Sequence, residues 1–253
     1  MDKLFDISGK NAIITGGTNG LGYKITEGFL ERGVKVVAIG HNPKSKEREK
    51  EWKEKGYDVS VLIADFKVRA DVDRVFDEAM EILSGKLDIL VTSAGIQRRY
   101  RSDQFPMEDW DDVIQVNLTT TFMFCQKAAR IMIPQKKGKI ITISSMSTFF
   151  GGQTIPAYSA SKGGVGQLTK ALSNDLASFG ININSLAPGY MDTEMNAALI
   201  NNPTRRPMID ERIPMKRWGK PEDMVGPAVF LASDASDYLT GAIIPVDGGY
   251  LGK

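Results

Sequence analysis

Short runs of apolar residues alternate along this chain with longer segments in which apolar residues recur every three or four positions. The short runs predict about seven buried β-strands, at residues 12–15, 35–39, 58–63, 89–92, 139–144, 181–186 and 242–246. The longer segments predict helices at residues 21–32, 44–55, 70–83, 108–133, 156–179 and 222–232. This alternation indicates an α/β fold, in which a doubly wound parallel sheet carries helices on both faces.

Composition narrows the class of protein. The 253 residues are compatible with one domain, and no change of composition marks a second, so we expect a single domain over residues 1–253. Lysine and arginine (32) balance aspartate and glutamate (31), which indicates neither nucleic acid nor an anionic membrane as a partner. No apolar run is long enough to span a bilayer and residues 1–6 do not form a signal peptide, so we expect a cytoplasmic protein.

Cysteine and histidine are too scarce for several kinds of site. Cys125 is the only cysteine, which excludes an internal disulfide, and its apolar neighbours predict a buried, unreactive thiol. His41 is the only histidine, so the sequence contains no cysteine–histidine cluster and we expect no metal site.

A glycine-rich turn at residues 15–22 follows the first predicted strand and precedes the first predicted helix. This order is typical of a dinucleotide-binding site in a Rossmann-like sheet, where the helix N-terminus faces the pyrophosphate. Gly16 would permit the tight turn, Gly20 the approach of backbone to pyrophosphate, and Gly22 close packing of the helix. A simple strand–helix turn is the alternative. The candidate cofactor-binding residues are Gly16, Thr18, Asn19, Gly20, Leu21 and Gly22.

Tyr158 and Lys162 lie four residues apart on a predicted helix, so their side chains share one face. A free phenol has a pKa of about 10 and is a poor base at neutral pH, but a nearby ammonium group favours the phenolate. Ser145 ends a predicted strand, where its hydroxyl can orient a substrate oxygen. These residues predict proton transfer at an alcohol or carbonyl carbon. An exposed tyrosine and a solvated lysine are the alternative.

The glycine turn, Ser145, Tyr158, Lys162 and the pair Pro188-Gly189, in this order, resemble the short-chain dehydrogenase/reductase family over nearly the whole chain. The resemblance implies an oxidoreductase that uses NAD or NADP and acts on CH–OH groups. It also implies a homotetramer, since the family is commonly tetrameric.

Several shorter stretches are similar to the sugar-acid dehydrogenases of bacteria, namely residues 94–99, 109–113, 187–190, 212–219 and 230–233. We therefore expect a small-molecule sugar acid as substrate, with a deoxygluconate first and gluconate as the alternative. A 3-oxoacyl-thioester reductase and a non-catalytic nucleotide sensor are more remote alternatives, and the complete catalytic set argues against the sensor.

The resemblance also assigns roles to single residues. Asn117 matches an asparagine that helps to hold a water for proton relay to the lysine, and Thr193 matches a threonine that holds the nicotinamide carboxamide. Asp65 matches an aspartate that meets the adenine amino group, although a helix N-cap is an equal alternative for it. Further cofactor-binding residues implied by the resemblance are Ala94, Gly95, Pro188 and Gly189, together with the catalytic Tyr158 and Lys162.

Two segments depart from the family pattern. Gly40 stands where an aspartate often holds the adenosine 2′-hydroxyl of NAD, and His41 where NADP-dependent members often have arginine. An imidazole is mostly uncharged at neutral pH and anchors phosphate weakly, while Asn42 can hydrogen-bond ribose, so we favour NAD and keep NADP open. Thr92 and Ser93 replace a pair of asparagines, which keeps hydrogen-bonding capacity with a shorter reach.

Arg98 and Arg99 follow the fourth strand, at the edge of the sheet where α/β proteins bind ligands. A guanidinium can hold a carboxylate through two parallel hydrogen bonds, so at least one of these arginines, preferably Arg99, is expected to contact the sugar acid. Surface arginines paired with Asp103 or Glu108 are the alternative. Ser145, Gln153 and Tyr190 are further candidates for substrate contacts, and residues 191–214 are predicted to form a mobile lid.

Pro245 lies inside the last predicted strand and cannot donate a ladder hydrogen bond, which favours an edge position. A bare apolar edge strand would promote aggregation. We therefore expect a partner subunit to cover it, with helix 222–232 contributing.

Overall fold

A computed structural model describes residues 3–253. Seven parallel strands form one sheet in the order β3-β2-β1-β4-β5-β6-β7. They are β1 (Asn11–Thr15), β2 (Lys35–Gly40), β3 (Val59–Ile63), β4 (Ile89–Thr92), β5 (Gly138–Ile143), β6 (Ile181–Pro188) and β7 (Ile243–Val246). The predicted α/β fold is confirmed, with all seven predicted strands present.

Nine α-helices lie within the described residues. They are α1 (Gly20–Leu30), α2 (Ser45–Glu54), α3 (Arg69–Ile82), α4 (Met107–Ile114), α5 (Thr120–Gln135), α6 (Pro156–Leu176), α7 (Ala197–Ile200), α8 (Arg205–Arg212) and α9 (Val225–Ala232). The helix predicted over residues 108–133 is present as α4 and α5, which a π-helical turn at Gln115–Thr119 joins. Helix α9 is shorter than predicted, and a 3₁₀ turn at Pro221–Met224 precedes it.

The inner strands of the sheet are buried on both faces, and successive residues of a strand point to opposite faces. Ile14 of β1 packs in the layer formed with α1, α2 and α9, whereas its neighbour Ile13 packs in the layer formed with α3 and α5. This explains why the strands read as continuous apolar runs rather than as alternating ones. Cys125 is completely buried in the second layer, as predicted, and burial raises the pKa of its thiol to about 12.

A third, smaller apolar cluster lies at the carboxyl end of the sheet. It is formed by Met146, Ile209, Ile213, Trp218 and Tyr250. Helix α8 supplies Ile209 and is followed by Ile213, so this cluster fixes the predicted lid segment, residues 191–214, against the last residues of the chain.

Strand β7 is an edge strand, as predicted, and Pro245 pairs in register with Ala187 of β6. Its coverage by a partner subunit stays a prediction. Across residues 3–253, no helix has both the length and the apolar character needed to cross a bilayer. Within the same range, no group of three or more histidine, cysteine, aspartate or glutamate side chains is arranged to hold a metal ion.

Candidate active site

The structure brings the predicted catalytic residues together at the carboxyl ends of β4, β5 and β6. Ser145 follows β5, and its Oγ accepts a hydrogen bond from the Ser147 amide at 3.1 Å, which orients the hydroxyl. Tyr158 and Lys162 lie in the first two turns of α6, with the Lys162 Nζ 5.8 Å from the centre of the Tyr158 ring. Nζ also donates to the carbonyl oxygen of Ile143, at the end of β5, at 2.7 Å.

Burial controls the protonation of these groups. It raises the pKa of Tyr158, against smaller lowering effects of the Ser145 hydroxyl and the Arg99 charge. The expected lowering of the Tyr158 pKa by Lys162 is therefore not the net direction in this structure. Burial also lowers the pKa of Lys162 from 10.5 to about 8. Its Nζ donates to the neutral carbonyl oxygen of Ile143, which offers no charge to offset the burial.

Asn117 lies in the π-helical turn and is fully buried. Its side chain exchanges two hydrogen bonds with the backbone of Ile96, at 2.8 and 3.0 Å, and donates a third to Ser161 Oγ at 3.1 Å. Asn117 thus ties the loop after β4 to α6 beside Lys162. Thr121 donates its hydroxyl to the Asn117 carbonyl at 2.8 Å. The predicted role in holding a water stays a prediction.

The glycine turn fits a dinucleotide pyrophosphate. Gly20 has φ +53° and no heavy atom lies within 4 Å of the position of an added Cβ, so this backbone is open to a ligand. A Cβ on Gly16 would lie 2.9 Å from the backbone of Ala94, and one on Gly22 would collide with the Gly16 carbonyl oxygen. The Asn19 side chain accepts a hydrogen bond from the Gly20 amide at 2.9 Å and caps α1. Leu21 packs against the first apolar layer.

The end of β2 is occupied by two hydroxyl groups. Thr18 Oγ1 and Ser45 Oγ are 3.0 Å apart and lie where a side chain of Gly40 would be. The only other candidate residues here are His41 and Asn42, which are exposed, and Asn42 accepts a hydrogen bond from the Lys44 amide at 3.0 Å. This end of β2 accordingly presents neutral hydrogen-bonding groups.

The remaining cofactor candidates line the same edge of the sheet. Asp65 is exposed, and its carboxylate accepts from the Lys67 amide at 3.0 Å, whereas Val68 is the N-cap of α3, so the N-cap interpretation is wrong. Pro188 ends β6, and Gly189 packs so closely on Asp247 that an added Cβ would lie 2.6 Å from its Cα. The position of a Cβ on Gly95 is 3.7 Å from Lys162 Nζ. Thr193 precedes a 3₁₀ turn and its side chain makes no capping bond.

The two candidate arginines differ in their surroundings. Arg98 forms an ion pair with Asp109 at 3.1 Å, and neither of the carboxylates considered from the sequence is its partner. Arg99 has no carboxylate partner among residues 3–253. Its guanidinium lies within electrostatic range of Tyr158, Tyr190 and Arg205, and burial, followed by repulsion from Arg205, lowers its pKa.

Gln153 and Tyr190 lie near Arg99 and Arg205. Gln153 Oε1 accepts a hydrogen bond from Arg205 Nη1 at 3.1 Å. The Tyr190 ring lies 5.3 Å from the rings of both Trp218 and Tyr250. Arg205 could not be predicted from the sequence, because no pattern in residues 191–214 indicates which way a side chain of α8 points.

Comparison with known proteins agrees with this geometry. A family model described as enoyl-(acyl carrier protein) reductase matches residues 16–251. The chain belongs to the short-chain dehydrogenase/reductase family. The predicted family is thereby confirmed, and with it the class of NAD(P)-dependent oxidoreductases that act on CH–OH groups.

Relatives match over their full length. The chain is 41% identical to a 2-dehydro-3-deoxy-D-gluconate 5-dehydrogenase of Pseudoalteromonas atlantica, covering 100% of both chains. It is 39% identical to a 5-keto-D-gluconate 5-reductase of Escherichia coli, covering 99% of both. The solved structure of a gluconate 5-dehydrogenase from Burkholderia cenocepacia in complex with NADP and tartrate superposes with a TM-score of 0.94, at 37% identity, covering 99% of this chain and 98% of that one.

Proposed function

We propose that this chain interconverts a secondary alcohol and a ketone on a sugar acid, with 2-dehydro-3-deoxy-D-gluconate 5-dehydrogenase activity, also described as 2-deoxy-D-gluconate 3-dehydrogenase activity. The observation that carries the substrate class is Arg99, a partly buried cation beside Tyr158 that lacks a carboxylate partner within residues 3–253. A sugar acid supplies that carboxylate. The relatives named above support the same class.

Gluconate 5-dehydrogenase activity is the second candidate. It is favoured by the relative that reduces 5-keto-D-gluconate and by the solved gluconate 5-dehydrogenase. The two activities require the same proton transfer at the oxygen of a secondary alcohol, so the catalytic residues do not discriminate between them.

A bound nicotinamide would supply the hydride acceptor in oxidation and the hydride donor in reduction, and residues 16–22 with Lys162 would hold it. In oxidation, the Tyr158 oxygen takes the hydroxyl proton of the substrate while Ser145 Oγ holds the same substrate oxygen. The ammonium of Lys162, fixed by the Ile143 carbonyl, stabilises the phenolate that this step requires. Asn117 holds the loop after β4 against α6. A water held by Asn117 would carry the proton to solvent.

Either nicotinamide cofactor fits the end of β2. A carboxylate at Gly40 would repel the 2′-phosphate of NADP. Thr18, Ser45 and Asn42 offer uncharged hydrogen-bonding groups there instead, with the His41 imidazole beside them, and these suit a ribose hydroxyl or its phosphate. The relative with bound NADP supports the second choice.

We further propose that the chain is one domain, acts in the cytoplasm and assembles as a homotetramer. The edge strand β7, with Ile243 and Ile244 half-buried, supports an assembly in which another subunit covers it. Light scattering at micromolar concentration should report four times the chain mass, and a monomer would contradict the assembly.

The activity is tested by supplying 2-deoxy-D-gluconate or D-gluconate, each with NAD or NADP, and following the absorbance of the reduced nicotinamide. We expect turnover of the deoxygluconate. Faster turnover of D-gluconate would favour the second candidate, with the same mechanism. No turnover in any of the four mixtures, or of the corresponding keto acids in the reverse direction, would contradict the sugar-acid assignment and leave the family unchanged.

A further inference from the structure

We propose that Arg205 of α8 is a second carboxylate-binding residue and that it forms, with Arg99, a two-arginine site for the acid group of the substrate. The inference rests on the proposed function, whose catalytic residues it leaves unchanged. It adds a specificity-determining residue from the lid segment, 191–214, which the sequence analysis assigned to closure alone.

Backbone and side-chain hydrogen bonds place the two arginines in one cluster. The Tyr100 amide donates to the Thr154 carbonyl at 3.0 Å, which joins the loop after β4 to the loop before α6. Arg99 and Gln153 are the preceding residues on these two loops. Arg205 Nη1 donates to Gln153 Oε1 at 3.1 Å and so attaches the lid segment to the same point.

The position of Arg205 is fixed by its own segment. Its backbone amide donates to Asn202 Oδ1 at 2.8 Å, at the beginning of α8. One turn later Ile209 is buried in the cluster with Trp218 and Tyr250. The guanidinium therefore projects from an anchored helix, which reduces the side-chain and backbone entropy that ligand binding would otherwise cost.

Three arginines around the site, Arg99, Arg205 and Arg212, have no carboxylate partner among residues 3–253, and Arg212 instead lies 4.2 Å from the centre of the Tyr250 ring. Other arginines nearby are neutralised by an aspartate, in the pairs Arg98–Asp109, Arg101–Asp103, Arg206–Asp210 and Arg217–Asp223. Arg99 and Arg205 are each partly buried, and the two repel each other. A carboxylate placed between them removes the repulsion and accepts charge-assisted hydrogen bonds from both.

The ligand chemistry that fits is an organic monocarboxylate that also carries the reacting alcohol or ketone. Gln153 can contribute to this specificity, because its amide oxygen accepts from Arg205 and its NH₂ group remains a donor for a ligand oxygen. Uncharged polyols or ketoses of the same length lack the group that two guanidinium ions would bind.

The test uses the variants Arg205→Gln and Arg99→Gln, with Arg101→Gln as the matched control. Arg101 is on the same loop as Arg99, is exposed and pairs with Asp103, so its loss should leave activity unchanged. For each protein we would measure kcat and KM for the keto acid and for a neutral ketose. A second readout is the rise of the unfolding midpoint on adding D-gluconate at saturating NADP.

We expect Arg205→Gln to raise the KM for the keto acid about tenfold to a hundredfold and to abolish the gluconate-dependent rise of the midpoint. The KM for NADP and the kinetics with the neutral ketose should stay as in the wild type, which a merely structural defect would not allow. Arg205→Lys keeps the charge and loses the bidentate geometry, so its KM for the keto acid should lie between those of the wild type and Arg205→Gln.

An unchanged KM and an unchanged midpoint shift in Arg205→Gln would overturn the two-arginine site. The proposed function would still stand if the wild-type protein turned over the sugar acid. Equal losses with the keto acid and the neutral ketose would also overturn it, since they would reveal a folding or closure defect. If the wild type neither binds nor turns over a sugar acid, the proposed function fails and this inference fails with it.

Discussion

The proposed cofactor side of the site is built around backbone within one continuous glycine turn, whereas the proposed substrate side is made of side chains from three distant segments. In the turn, Gly16 and Gly22 approach neighbouring backbone so closely that neither has room for a Cβ. On the substrate side, Arg99, Gln153 and Arg205 belong to three segments held together by hydrogen bonds. Binding on the cofactor side therefore depends on the absence of side chains, whereas binding on the substrate side depends on which side chains are present.

This difference indicates how each side responds to change. A substitution in the glycine turn acts on folding and on cofactor binding together, because the same backbone serves both. A substitution among the substrate-side residues can change which molecule is accepted without altering the fold.

Tyr158→Phe should remove the chemistry and leave both binding sides intact. The variant lacks only the phenolic oxygen, and general acid–base groups contribute about a hundredfold to ten-thousandfold to rate. We expect kcat to fall at least a thousandfold while the Kd for NADPH, measured by fluorescence, stays within about twofold. Activity close to the wild type would exclude Tyr158 as the proton-transfer group.

Gly22→Ala should impair cofactor binding and destabilise the fold at the same time. The new methyl group meets the Gly16 carbonyl oxygen, a backbone atom that cannot move without distorting the turn. We expect a loss of about 3 kcal/mol of unfolding free energy, typical of severe overpacking, together with the loss of NADPH binding.

The matched control for this variant is Gly226→Ala in α9, where no heavy atom lies within 4 Å of the added Cβ. Alanine is the better helix former, so the control should gain up to about 1 kcal/mol. Equal stabilities of the two variants in urea would contradict the idea that Gly22 is required for packing.

The same division governs what could be predicted from the sequence. The central strands were predicted because both their faces are buried, which leaves continuous apolar runs such as residues 36–39. The glycine turn was predicted because its function is local. The π-helical turn was missed because its cause is tertiary: the side chain of Asn117 bonds to Ile96 and Ser161, and neither is near it in sequence.

Arg205 was missed for the same physical reason. Its environment is set by Gln153, 52 positions away in sequence, and by the docking of α8 on Trp218 and Tyr250. Arg98 and Arg99 were treated as nearly equivalent, since adjacent residues carry the same local signal. Only the fold shows that Asp109 neutralises one of them.

Lys162 lies between the two sides, and its burial should make stability depend on pH. Its pKa of about 8 is below its ordinary value of 10.5, so between these pH values the unfolded chain binds the proton that the folded chain has lost. Below about pH 8 both states are protonated and the folded state carries the full cost of a buried cation. The contribution of Lys162 to the free energy of unfolding is therefore lowest below pH 8 and rises between pH 8 and 10.5, by at most about 3 kcal/mol.

The comparison with Lys162→Met isolates this effect, because methionine has similar length and no charge. The stability of the wild type relative to the variant should improve as pH increases from 8 to 10.5, measured by urea unfolding of the cofactor-free protein. The variant also loses the hydrogen bond to Ile143, which shifts the difference at every pH without changing its slope. A pH-independent difference would show that the ammonium is not desolvated as the structure indicates.

Thr92→Val should have the smallest effect on the free energy of unfolding, and it should stabilise the protein. Thr92 ends β4 beneath the active-site loop, where its hydroxyl is buried and, within residues 3–253, has no hydrogen-bond partner. The capacity for hydrogen bonding that the sequence analysis ascribed to it is thus unused. Valine has the same shape without the unsatisfied oxygen, so the variant should gain up to about 1 kcal/mol.

Thr142 is the matched control for that variant, because it pairs in register with Thr92 on the neighbouring strand. Its hydroxyl is hydrogen-bonded to Thr169 Oγ1 at 2.8 Å, so Thr142→Val should lose about 1 kcal/mol. Two isosteric substitutions on adjacent strands would then change the unfolding free energy in opposite directions. Equal destabilisation by both substitutions would mean that the Thr92 hydroxyl has a hydrogen-bond partner in solution. The carboxyl end of β4, between the cofactor and substrate sides, would then be fully hydrogen-bonded.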